Sequence, residues 1–350
     1  MSLKMNATCL KFSLGLIFLL LLQQVSGQHN FLELDNYLST HQKLLGTNAV
    51  ALIWKNDTLI YKKEMGEMNT RTKAPVASCS KWLTAALVMT FVDEGKITLD
   101  DKVSKYIPEF ERYGKNYITI RHCLSHMTGI QSEPIKILKL LQRKKYQSLE
   151  EEVNAFAAKE IQTNPGTEFR YSTIGLNIAG RIVEIVGKRK FDMLMRQRIF
   201  VPLGMRSSTF STLDGSSINP SGGAISTADD YMHFLVMLLN NGKYNGKQIL
   251  SEQSVKEMRT VQTSLQLIKY APEAAKGLNY ALGSWVFSQD GKGQATAFSS
   301  PGLFGGWPMV DYCHGYAYLF FTKSLLGEER AGIQMEIKSI IDKQFKDSCR

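Results

Sequence analysis

Hydrophobic spacing divides the chain into strand-like ends and a helix-like middle. The stretch 31–46 places apolar residues at Leu34, Leu38, Leu44 and Leu45, which predicts an amphipathic helix. Two short apolar runs follow, 50–54 and 59–61, with Asn56-Asp57 between them, and these predict a β-hairpin. The stretch 80–94 is different. Trp82, Leu83, Ala85, Ala86, Leu87, Met89, Phe91 and Val92 leave no broad polar face, so it predicts a buried helix ending at Gly95. From 102 to 276 the pattern is mostly helical, with 191–200 and 231–240 as clear examples. Strand-like runs return at 280–287, 295–300 and 316–322, and 333–345 reads as an amphipathic terminal helix. Strands at both ends with helices between predict an α+β fold, an antiparallel sheet flanked by helices with an inserted mostly helical region. The sheet part is expected from 31–75 and 277–350, and the helical part from 76–276.

Residues 1–27 are expected to stand outside this fold. Lys4 and Lys11 give a basic start, 12–22 is an apolar run, and Val25-Ser26-Gly27 offers small residues at a cleavage point. That is the pattern of a secretory signal peptide, and the run is short of the roughly 20 residues a membrane span needs. The mature chain, 28–350, is then expected in an extracellular or lumenal compartment, where disulfides form. Cys79, Cys123, Cys313 and Cys349 remain in it, and residue spacing leaves the pairing open. Geometry favours one pair. A strand opening at Cys313 covers about 30 Å and a terminal helix about 27 Å. If the helix doubles back along the sheet, Cys349 returns to the level of Cys313, leaving Cys79 and Cys123 as buried thiols. Asn56-Asp57-Thr58 is also a glycosylation sequon that a hairpin turn would expose.

Composition excludes several function classes. With 44% hydrophobic and 21% charged residues in 350, the chain is of ordinary globular type. Its formal charge is +10, but Lys and Arg are dispersed, with the densest groups at Arg143-Lys144-Lys145 and Lys188-Arg189-Lys190. This reads as a solubilised surface, and no nucleic-acid recognition motif accompanies it. No C-x-x-C or H-E-x-x-H supports a metal site.

The chemistry concentrates in Val76-Ala77-Ser78-Cys79-Ser80-Lys81-Trp82. Ser78 and Lys81 are spaced i, i+3 and share a helix face, with Cβ atoms about 5–6 Å apart. At a helix start the Ser78 N–H can meet a developing oxyanion, which the helix dipole favours. A lysine on a buried helix is desolvated, which disfavours its charged form and makes it a usable base. A second element, Pro165 to Thr173, ends in Tyr171-Ser172-Thr173. A tyrosine beside an ammonium is expected to shift toward phenolate and to exchange a proton with Ser78. A third element, Phe298-Ser299-Ser300-Pro301-Gly302-Leu303-Phe304-Gly305-Gly306, follows a late strand, where glycines let substrate approach the backbone.

These three elements, in this order, resemble the serine β-lactamase and penicillin-binding-protein superfamily, nearest the class C β-lactamase, D-aminopeptidase and esterase branch. Ile118 to Ile130, Phe200-Val201-Pro202-Leu203-Gly204-Met205 and Ser221 to Asp230 resemble further segments of that group, so the likeness runs from 35 to 345. It implies a β-lactamase/transpeptidase-like fold and no cofactor. It also implies Ser78 as nucleophile, Lys81 and Tyr171 as its partners, and the Ser78 and Leu303 N–H groups as oxyanion hole. Ser300 and Gly302 belong to the third motif. Two positions depart from the family. Its Tyr-x-Asn asparagine, which binds a substrate amide and positions the lysine, is Thr173. The Lys or His that opens its third motif is Ser300, which removes an anchor for a substrate carboxylate. The expected activity is therefore acyl-enzyme hydrolysis of a neutral small-molecule ester or amide. A catalytically inactive binding protein and a true β-lactamase or D-amino-acid peptidase are the alternatives.

Overall fold

The computed structural model describes residues 29–132, 146–212, 215–325 and 330–349. The expected signal peptide and the Arg143-Lys144-Lys145 group lie outside the described residues. Among the described residues no helix is long and apolar enough to cross a membrane.

A seven-stranded antiparallel sheet forms the centre. Its strands are β1 (Ala49–Lys55), β2 (Thr58–Met65), β3 (Asn279–Tyr280), β4 (Trp285–Gln289), β5 (Ala295–Ser299), β6 (Trp307–Asp311) and β7 (Tyr316–Thr322). They lie in the order β2-β1-β7-β6-β5-β4-β3, so the two ends of the chain meet where β1 pairs with β7. Alternation in these two strands explains why both faces are covered. Ala49, Ala51 and Ile53 with Tyr316, Tyr318 and Phe320 face one side; Val50 and Leu52 with Ala317, Leu319 and Phe321 face the other.

The first face takes the terminal helices. Leu34 and Leu38 of α1 (Leu32–Thr40) pack there with Ile333, Ile337, Ile340 and Ile341 of the last helix, Arg330–Asp342. Asp311 and Asp342 hold Lys338 Nζ between them at 2.7 and 2.6 Å, pinning that helix to the sheet. The second face takes the helical region. Its helices include α2 (Ser80–Asp93), α3 (Ile174–Gly187) and α4 (Ala228–Leu239), and the last helix is α5 (Arg330–Asp342). Helix α2 is buried from Ser80 to Phe91, as its unbroken apolar surface requires.

Several expectations need correction. The first helix stops at Thr40, and 41–46 are turns that leave Leu44 exposed. The run 280–287 is two strands, because the Ala281 N–H closes a turn on the Ser284 carbonyl. Strand β6 was not expected at all: Pro308 sits inside it, and proline argues against a central strand. There Pro308 faces Leu319, and its carbonyl accepts from the Ser299 hydroxyl. Cys313 lies in the β6–β7 turn rather than in a strand, and α5 ends at Asp342. The chain then folds back, Ser348 donating to the Cys313 carbonyl through N–H and Oγ, and Cys313 is joined to Cys349 by a disulfide. Cys79 and Cys123 are buried free thiols. The β1–β2 turn has left-handed Asn56 and Asp57, at φ 50° and 58°, with Asn56 exposed.

Candidate active site

Ser78 stands at an elbow. Ala74–Pro75 pairs with Ile225–Ser226, the Val76 N–H donates to the Ala224 carbonyl, and the chain then turns into α2. Ala77 takes φ +47°, a left-handed conformation that costs a non-glycine residue roughly 1–2 kcal/mol. It brings Ser78 into a cleft with Tyr171, Trp285, Pro301, Gly302, Leu303 and Arg330 on its walls. The neighbouring hydroxyl of Ser80 is buried and accepts from the Ala224 N–H, so it is a structural group.

Lys81 lies beneath Ser78, buried on α2. Its Nζ is 3.2 Å from Ser78 Oγ and 2.8 Å from the Ser221 carbonyl, and sits 4.8 Å from the centre of the Tyr171 ring. Burial pushes its pKa from 10.5 down to about 7, with Cys79 acting in the opposite sense. The Tyr171 phenol lines the cleft with Ser78, whose hydroxyl acts to lower the tyrosine pKa. The expected drift of Tyr171 toward phenolate is reversed. Burial raises its pKa above the ordinary tyrosine value, and the nearby Ser78 hydroxyl offsets only part of this. Tyr171 is therefore a neutral phenol at neutral pH.

The third motif approaches closely from β5. A Cβ on Gly302 would come within 2.3 Å of the Val76 carbonyl oxygen and 3.0 Å of Cys79 Sγ, so glycine is required there. The Gly302 N–H is taken by the Gly306 carbonyl at 2.8 Å, whereas no hydrogen bond among the described residues takes up the Ser78 or Leu303 N–H. Both belong to residues lining the cleft. Ser300 is buried, and its hydroxyl donates to the Ser78 carbonyl at 3.2 Å, so it braces the backbone at Ser78. Thr173 is half-buried and is not among the cleft-lining residues.

Two residues of this region carried no expectation. Arg330, at the start of α5, lines the cleft and donates from Nη1 to the Leu303 carbonyl at 3.0 Å, so the cleft is not free of cations. His126 lies behind Tyr171, its ring 4.6 Å from the tyrosine ring. Its Nδ1 accepts from the Ser172 N–H at 3.4 Å, which leaves Nε2 to donate to Tyr280 Oη at 3.1 Å. Burial, and secondly Lys81, hold His126 well below the usual histidine pKa. The signal available was its place in the Leu124-Ser125-His126-Met127-Thr128-Gly129 segment.

The family model for beta-lactamases matches residues 37–339. The chain belongs to the beta-lactamase family. Protein Rv1367c of Mycobacterium tuberculosis is 26% identical over 334 residues, covering 76% of this chain and 82% of its own. The crystal structure of a candidate beta-lactamase from Bacteroides dorei superposes with a TM-score of 0.80 at 27% identity, covering 90% of this chain and 99% of its own. EstCE1, a hydrolase with promiscuous acyltransferase activity, shares the fold at TM-score 0.72 and 20% identity, over 89% and 100% of the two chains. The fold is β-lactamase/transpeptidase-like.

Proposed function

We propose that this beta-lactamase family member is a secreted ester or amide hydrolase that acylates Ser78. The observation that carries this reading is Lys81: a buried lysine with a pKa of about 7, held 3.2 Å from the Ser78 hydroxyl. At neutral pH about half of such a lysine is uncharged. Its lone pair accepts the Ser78 proton as Oγ forms a bond to the substrate carbonyl carbon. The carbonyl electron pair moves to oxygen, where the Ser78 and Leu303 N–H groups receive it. Tyr171 gives its proton to the leaving alcohol or amine as that bond breaks, and the Lys81 ammonium restores it. A water then attacks the acyl-enzyme, yielding a proton to Lys81, and the acid leaves as Ser78 is reprotonated.

Trp285, Pro272, Ala274, Ala275 and Pro301 give the cleft a largely apolar wall that suits a compact neutral acyl group. Arg330 is engaged with the Leu303 carbonyl, which fits a bracing role for its charge. Secretion rests on residues 1–27 and on the Cys313–Cys349 bond, which the secretory route would oxidise. The test is fluorophosphonate labelling of the purified chain, with turnover of a short-chain nitrophenyl ester and of nitrocefin. We expect Ser78 to label and the ester to give the higher kcat/KM. A higher value for nitrocefin makes the chain a β-lactamase. No labelling, and no turnover across esters and amides, leaves a ligand-binding protein.

A further inference from the structure

Helix α3 carries a buried amide close to this machinery. Asn177 lies one turn after Thr173, its N–H donating to the Thr173 carbonyl at 3.3 Å, and its side chain is fully buried. Oδ1 accepts from the Ser221 N–H at 3.0 Å. That donor fixes the amide's orientation, since a flipped amide would set two N–H groups against each other. Nδ2 then has no hydrogen-bond partner among the described residues. A leucine, of similar size, would carry no such cost.

Ser221 is also the residue whose carbonyl holds Lys81 Nζ at 2.8 Å. Its loop lies hard against α3: a Cβ on Gly180, three residues beyond Asn177, would fall 2.5 Å from Pro220 Cγ. Asn219 Oδ1 accepts from the Ser221 N–H at 3.2 Å and from its hydroxyl at 2.7 Å. Two further tethers run to α2, from Thr84 Oγ1 to the Pro220 carbonyl and from the Ala224 N–H to Ser80 Oγ. Asn177 supplies the tether to α3, the helix that begins three residues after Tyr171.

We infer that Asn177 is a positioning residue for Lys81, acting from one helical turn beyond the position where the family's Tyr-x-Asn asparagine is replaced by Thr173. The inference rests on the reading of Lys81 as the base. With the Ser221 carbonyl held still, one N–H of neutral Lys81 is committed to it, and the lone pair is free to face Ser78 Oγ. The other groups that bear on this nitrogen are Tyr171, Cys79 and His126.

Asn177→Leu and Asn177→Asp test this by opposite shifts. Leucine removes the acceptor; aspartate keeps it and adds negative charge. We expect the leucine variant to melt no lower than the parent, with kcat down about tenfold and KM unchanged. Its acid limb moves to lower pH, because a carbonyl that favours the ammonium is released. The aspartate variant moves the acid limb to higher pH. NMR titration of the Lys81 Cε resonance, assigned with Lys81→Met, reads the same shifts without turnover. An inactive parent therefore ends the hydrolase reading while the titration still decides Asn177. A Lys81 titration that stays put in both variants overturns the inference. If the leucine variant fails to fold, an unmoved titration in the aspartate variant overturns it alone.

Discussion

Replacing Lys81 by methionine should abolish turnover and at the same time stabilise the protein near neutral pH. Burial lowers the Lys81 pKa from 10.5 to about 7. The folded value lies below the unfolded one, so between the two the unfolded chain binds more protons and stability rises with pH. The cost is fully present below about pH 7 and gone above 10.5, and at pH 7 it is worth roughly 4 kcal/mol. Methionine escapes that cost but leaves the Ser221 carbonyl without its donor, a loss of about 1–3 kcal/mol. The expected net gain at pH 7 is therefore about 1–3 kcal/mol, vanishing or reversing as the pH approaches 10. Thermal unfolding of parent and variant from pH 6 to 10 measures it. The same pKa sets activity in the parent. The uncharged fraction rises from about 9% at pH 6 to about 91% at pH 8, so kcat/KM should climb about tenfold. A Lys81→Met variant that melts below the parent at pH 7, or a parent rate that is flat from pH 6 to 8, refutes the reasoning.

Other substitutions probe the remaining parts. Ser78→Ala should lose labelling and turnover while its melting temperature stays close to the parent's, which differential scanning calorimetry and a labelling gel check together. Tyr171→Phe should lower kcat by about 10²–10⁴ with little change in KM, because it removes the proton donor but keeps the ring; steady-state kinetics decide this. Gly302→Ala forces its Cβ against the Val76 carbonyl and displaces the Leu303 N–H, so kcat should fall on the order of 10²-fold. Replacing Cys313 and Cys349 by serine opens a loop with a sequence separation of 36 and should cost up to about 4 kcal/mol in denaturant unfolding, with kcat/KM unchanged.

The fold was legible wherever burial leaves a period. Strands β1 and β7 are apolar on both faces and α2 is apolar all round, so composition alone marks them as central. Where the boundary depends on a single contact, the pattern fails. The break between β3 and β4 is one turn bond, and β6 carries a proline whose missing N–H is tolerated because its carbonyl and its partners supply the pairing around it. The Cys313–Cys349 pair was expected from lengths that do not hold: Cys313 lies in the β6–β7 turn, and the chain folds back beyond Asp342 to bring Cys349 to it.

Within the site, the Ser78–Lys81 pair was legible because it is local, two side chains on one helix face. Tyr171 was singled out as a phenol expected beside the lysine, and Leu303 was legible only through family resemblance. Asn177, His126 and Arg330 were not, since each acts through a group that packing brings to it: Ser221, Tyr171 and the Leu303 carbonyl. The charge of Tyr171 was read the wrong way for a related reason. Proximity to an ammonium argues for phenolate, but that argument assumes that the lysine keeps its proton. His126, Tyr280 and Trp285 close around Tyr171 while α2 buries Lys81, and burial disfavours both charges at once. A lysine that gives up its proton no longer draws the phenol down. The two effects reinforce each other, and at neutral pH a lysine about half uncharged stands beside a neutral phenol, the pairing that the proposed acyl transfer uses.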